Sequence, residues 1–129
     1  MRRIWEQCAD TKAIKWDLAG PEECHEIWHG ADFIRSILWE GNRRCKFKIG
    51  ITHLPLNRWF QPLYGYKAEG FHRITFIYVS ENSDDTADME KALLEVFGNK
   101  DRCLNKSAGG ESAHHGYSPF FVYVAMKYF

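Results

Sequence analysis

Three cations stand close to one glycine in the segment 45–60, CKFKIGITHLPLNRWF. They are Lys46, Lys48 and Arg58, with Gly50 between them and no acidic residue from Lys46 to Arg58. Arg43 and Arg44 extend the basic run on its N-terminal side. A glycine lets a ligand approach the backbone, and a guanidinium offers a planar fork that matches phosphate oxygens better than an ammonium does. The chemistry this pattern suits is the binding of a phosphodiester. His53 adds a side chain that titrates near neutrality. Trp39, Trp59 and Tyr64 add aromatic faces on which bases can stack.

The elements that must position these residues can be read from periodicity. Phe47, Ile49 and Ile51 alternate with Lys46, Lys48 and Gly50, which predicts a half-buried strand over 45–52. Pro55 suits a first helical position, and Leu56, Trp59 and Phe60 recur at helical spacing, so a short helix over 55–60 carries Arg58. FIRSILW in 32–39 is strand-like with poor alternation, and Gly41-Asn42 reads as the turn of a hairpin joining it to 45–52. HRITFIYVS predicts a strand over 72–80. Met89, Ala92, Leu93, Val96 and Phe97 form the core stripe of a helix over 85–97, capped by Ser83 or Asp84 and ended by Gly98. Glu90 lies about 100° round from Met89, at the edge of that stripe, where a carboxylate can look along the sheet toward Arg58. PFFVYVAMKYF ends the chain as a buried strand or short helix, with Val122 and Val124 favouring strand.

The rest of the chain is less structured in its signals. Residues 1–30 hint at amphipathic helix through Ile4, Trp5, Cys8, Ile14 and Trp16. A second helix starts at Pro21-Glu22-Glu23 and stops at Gly30. They are expected to pack as an extension on a domain formed by 31–129. The 22 residues from Gly98 to Pro119 show no periodicity and hold Asn105, Gly109-Gly110 and His114-His115.

Composition narrows the classes. With 129 residues, 45% of them hydrophobic and 16% aromatic, the chain can bury a core. The formal net charge is zero, so any attraction for nucleic acid has to be local. Cys8, Cys24, Cys45 and Cys103 are far apart and form no CxxC. MRRIWEQCAD lacks the apolar stretch of a signal peptide. Reduced thiols and an intracellular location are expected. Cys24, His25 and His29 do not have the spacing of a standard zinc finger. No apolar run reaches the ~20 residues of a membrane span.

KIGIT followed by Arg58, then Glu90 inside a helix and Asn105 fifteen residues later, resembles the GIY-YIG nuclease family, in the branch whose second strand reads YKIGxT. The likeness covers roughly residues 31–105. Two departures stand out. The first strand should carry Gly-Ile-Tyr, and 35–40 reads RSILWE; the tyrosine of the second half is replaced by Lys48. The resemblance implies an α+β fold with a small three-stranded, largely antiparallel sheet flanked by helices. It also implies a metal-dependent endonuclease that hydrolyses phosphodiester bonds in nucleic acid, with DNA rather than RNA the expected partner. On that pattern Glu90 holds Mg²⁺ or Mn²⁺, Arg58 grips the non-bridging oxygens, and Asn105 orients the helix-to-loop junction or a metal-bound water. Lys48, set among cations that disfavour its charged form, and His53 are alternative bases. Tyr64 or Tyr66 is an alternative source of the missing tyrosine. Arg43, Arg44, Lys46, Trp59 and Tyr64 would line the nucleic-acid path. A domain of the same fold that binds without cutting is the principal alternative, and a protein-interaction adaptor is another.

Overall fold

The computed structural model describes residues 13–19, 26–39, 45–105 and 116–128. Seven elements follow in order: β1 (Ile14–Ala19), α1 (Glu26–Trp39), β2 (Cys45–Thr52), α2 (Pro55–Phe60), β3 (Arg73–Ser80), α3 (Ser83–Phe97) and β4 (Phe120–Tyr128). The four strands form one mixed sheet in the order β1-β3-β4-β2. β4 is antiparallel to both β2 and β3, and β1 is parallel to β3. The expected α+β class therefore holds, with four strands in a mixed sheet where three were expected. No helix among the described residues is long and apolar enough to cross a membrane.

The expected hairpin of 32–39 with 45–52 is not formed. Residues 32–39 belong to helix α1, and β2 pairs instead with β4 over its whole length, from Cys45 opposite Tyr128 to Thr52 opposite Phe121. The reason lies in a helical period that crosses a glycine. Gly30, Ala31, Ile34 and Ile37 are buried on one face of α1 at i, i+1, i+4 and i+7 spacing. Gly30 does not end the helix. A Cβ there would lie 3.2 Å from Ile77 Cδ1 and 3.3 Å from Leu93 Cδ1, so the glycine lets α1 approach β3 and α3 closely. In the N-terminal stretch, Ile14 and Trp16 lie on strand β1, which extends one edge of the sheet and does not cover a face of it.

Helices occupy both faces. Cys45, Phe47, Ile49 and Ile51 of β2 and Val122, Val124 and Met126 of β4 pack with Ile34 and Ile37 of α1 and with Met89, Leu93 and Phe97 of α3. The alternate residues of the same strands face the other way. There Phe121, Tyr123 and Ala125 pack with Ile74, Phe76, Trp59 of α2 and Tyr66 of the following loop. α3 opens where Asn82 Oδ1 accepts from Asp84 N at 2.9 Å, so the cap sits one residue before the expected Ser83. Its start is further tied down by Ser80, whose Oγ donates to Asp85 Oδ2 at 2.8 Å.

Candidate nucleic-acid interface

The strand alternation sends Lys46, Lys48 and Lys127 to the face that carries α2, because their neighbours Phe47, Ile49 and Met126 are in the core on the α3 side. Lys46 and Lys127 are direct cross-strand partners, and Lys48 is two residues along from Lys46 on the same face. Like charges set directly opposite each other are destabilising in a sheet. Lys127 Nζ lies 5.3 Å from the Phe71 ring centre, and Lys48 Nζ lies 5.8 Å from that of Tyr66. α3 is the opposite in charge, with Asp84, Asp85, Asp88, Glu90 and Glu95 against Lys91 alone.

Arg58 is held at three points. Its guanidinium carbon stacks 4.2 Å from the centre of the Tyr66 ring. Nη1 donates to the Tyr64 carbonyl at 2.7 Å, and Nε donates to Tyr123 Oη at 3.3 Å. The Tyr66 and Tyr123 hydroxyls share a hydrogen bond of 2.8 Å and both rings are fully buried. Pro55 starts the short helix, and Trp59, 3% exposed, anchors it in the core, which turns Arg58 toward the two tyrosines. The guanidinium is therefore oriented before any ligand arrives. A pre-set fork loses less freedom per hydrogen bond formed.

Tyr123 is the residue that the sequence pattern did not point to. It stands directly opposite Gly50 in the β2–β4 ladder. A Cβ on Gly50 would fall inside van der Waals contact of the Tyr123 Oη and Cζ atoms, so the glycine is there to let the tyrosine ring lie across the strand. A tyrosine from the C-terminal strand thus stands next to the KIGIT strand in space, 73 residues from it in sequence, counting from Gly50 to Tyr123.

The remaining expected site residues divide. Lys46, Lys48 and Tyr64 lie on the same side as Arg58, and Asn57 Nδ2 donates to Tyr64 Oη at 2.9 Å. Trp59 is buried, so it holds α2 in place and has no face for a base. His53 lies just beyond β2, half-buried, with the Gly116 backbone packed against its ring. Arg43 and Arg44 lie outside the described residues, as do Gly109, Gly110, His114 and His115. Of the residues considered for zinc, Cys24 and His25 also lie outside them. His29 instead ties α1 to β1, with Nε2 2.6 Å from the Asp17 carbonyl oxygen.

Asn105 ties the segment after α3 to strand β2. Its Oδ1 accepts from Ile49 N at 2.9 Å and its Nδ2 donates to Ile49 O at 2.7 Å. Together with Phe47 N donating to Arg102 O and Leu104 N donating to Phe47 O, this closes the outer edge of β2. Both ends of the amide bond the Ile49 backbone, so the side chain fixes the segment after α3 against β2. Replacing Asn105 with Ala is expected to lower the unfolding free energy by about 1–3 kcal/mol, since two backbone groups lose their partner. Chemical denaturation reads this directly. The neighbouring Cys103 donates to Asn105 Oδ1 at 3.4 Å, and burial pushes its thiol pKa up, which is the environment of a structural cysteine and not a nucleophile.

Glu90 departs from expectation. It is 2% exposed and belongs to the inward stripe of α3 with Thr86, Met89, Leu93 and Leu94. That stripe packs on the sheet face opposite to Arg58. A bound Mg²⁺ keeps several waters, and a carboxylate that is 2% exposed offers little room for a hydrated ion. Among the described residues no group of three His, Cys, Asp or Glu side chains gathers that could hold a metal.

Comparison of the chain with family models, with curated proteins and with solved structures finds no match in any of the three.

Proposed function

We propose that this domain binds nucleic acid through its phosphodiester backbone on the face formed by β2, β4 and α2. The observation that carries the reading is the fixed guanidinium of Arg58, stacked on Tyr66 and bonded to Tyr64 and Tyr123, beside the cross-strand cluster Lys46, Lys48 and Lys127. Arg58 supplies a directional contact to a phosphate oxygen. The lysines supply a less directional field whose strength falls with salt. Tyr123 and Tyr66 act through Arg58 and are positioning residues. The resemblance of KIGIT, Arg58, Glu90 and Asn105 to the GIY-YIG pattern favours the same class of partner.

Hydrolysis is the second reading, and one observation favours it: a tyrosine hydroxyl and an arginine meet across the glycine of KIGIT, which restores a feature the linear sequence lacked. Against it stands the placement of Glu90. Fluorescence anisotropy and a cleavage assay on the same set of single-stranded, duplex and branched substrates separate the two. Salt-sensitive binding is expected with no cleavage in Mg²⁺ or Mn²⁺, and Glu90→Gln is expected to leave the affinity unchanged. Cleavage that needs the ion and disappears in Glu90→Gln would overturn the binding reading and establish a nuclease. Absence of salt-sensitive binding to every substrate would remove both.

A further inference from the structure

Four of the six exposed large hydrophobic residues described lie within the short stretch 54–64: Leu54, Phe60, Leu63 and Tyr64. Exposed apolar side chains gathered in one short stretch are a feature of contact surfaces. Trp59 turns inward at 3% exposed while its neighbour Phe60 turns outward at 45%, so α2 itself separates an anchoring aromatic from a displayed one. Beyond it Tyr64 is 47% exposed and Leu63 is 89% exposed. A cation accompanies each of Phe60 and Tyr64, at the ring of the first and at the backbone carbonyl of the second. Lys67 Nζ lies 5.4 Å from the centre of the Phe60 ring, and the carbonyl of Tyr64 is held by Arg58 Nη1 at 2.7 Å.

A protein partner would use the apolar surface without needing the cations. A duplex would use the cations without needing the rings, because paired bases are stacked on one another and show only their edges in the grooves. An unpaired strand uses both, since each base has an open face to stack and a phosphate one bond system away to neutralise. We propose that the ligand is single-stranded nucleic acid, with successive bases on Phe60 and Tyr64 and the linking phosphates on Arg58 and Lys67. This rests on the nucleic-acid-binding reading above and narrows it.

Both rings are at the surface, so their removal leaves the core intact. The test compares a labelled oligodeoxythymidine with a duplex of the same length. The protein as it stands is expected to bind the single strand more tightly. Phe60→Ala is expected to weaken single-strand binding about tenfold while leaving duplex binding unchanged, and Tyr64→Ala, which also adjoins Arg58, is expected to weaken single-strand binding about tenfold more than it weakens duplex binding. Tyr64→Leu, which keeps apolar bulk without the aromatic face, is expected to behave like Tyr64→Ala. Equal losses on both ligands, no loss on either, or full rescue by leucine would overturn the single-strand assignment while the binding reading stands. If the unsubstituted protein binds neither oligonucleotide in a salt-dependent way, the binding reading itself fails and this inference with it.

Discussion

Arg58→Ala is expected to weaken nucleic-acid binding by about 10- to 100-fold, the range that follows from losing a hydrogen bond to a charged group worth about 1.5–3 kcal/mol. Three features of the site set that size. The guanidinium is held at three points, by the Tyr66 ring, the Tyr64 carbonyl and the Tyr123 hydroxyl, so it gives up little freedom when it meets a phosphate. Stacked on an aromatic ring, it is more weakly hydrated than a lysine ammonium and is cheaper to desolvate. It also lies on the side to which the sheet sends Lys46, Lys48 and Lys127, whose field adds to its own. The salt dependence of binding identifies the contact. Removing one neutralised phosphate should make the slope of log K against log salt shallower by about 0.7 for a single strand. Arg58→Lys keeps the charge and loses the fork, so it should keep most of the slope and lose affinity. Tyr123→Phe removes the hydroxyl that holds Nε; it should lower affinity with the slope unchanged, as befits a residue that acts through another. An Arg58→Ala protein with wild-type affinity and slope would place the binding surface elsewhere.

How far the sequence led to this site depends on the range over which each signal acts. β2, α2, β3 and α3 were legible because their periodicities are local and strong, from the alternation of Phe47, Ile49 and Ile51 to the stripe of Met89, Leu93 and Phe97. α1 was not. Its buried residues Ala31, Ile34 and Ile37 are spaced for a helix, and Gly30 and the β-branched isoleucines gave local signals of a stop and a strand. A tight approach to Leu93 and Ile77 outweighed both. Strand order was not legible either. Nothing in KIGIT states that its partner is FVYVA far along the chain, since pairing is decided by which faces can be buried together. That is why Tyr123 escaped notice: its strand could be seen, and its neighbour could not. Glu90 shows the opposite limit. Periodicity placed it at the edge of a stripe, and the structure draws it fully under, on the side away from Arg58.

Gly50→Ala is expected to damage fold and site together, and the direction of the stability change is itself diagnostic. Gly50 does not adopt the left-handed backbone region, so alanine carries no conformational strain there. At an ordinary strand position, alanine in place of glycine stabilises by reducing the freedom of the unfolded chain. Here the added methyl would overlap the end of the Tyr123 ring and come within 3.0 Å of Cε1. The ring cannot swing aside easily, because it is fully buried with Tyr66 at 5.4 Å and Phe76 at 6.2 Å between centroids. Overpacking of this kind typically costs about 1–3 kcal/mol, read as an earlier unfolding midpoint. The displaced hydroxyl would also release Arg58 Nε, so affinity should fall in the same direction as in Tyr123→Phe. Tyr123→Leu shortens the side chain and leaves a gap over Gly50 that the alanine methyl can partly fill. The double variant Gly50→Ala with Tyr123→Leu should therefore be more stable than the sum of the two single changes allows, with a coupling of about 0.5–3 kcal/mol. Affinity should not return, because no hydroxyl remains to hold the guanidinium. Strictly additive stabilities, or a Gly50→Ala protein more stable than its parent, would show that Tyr123 does not lie across the KIGIT strand.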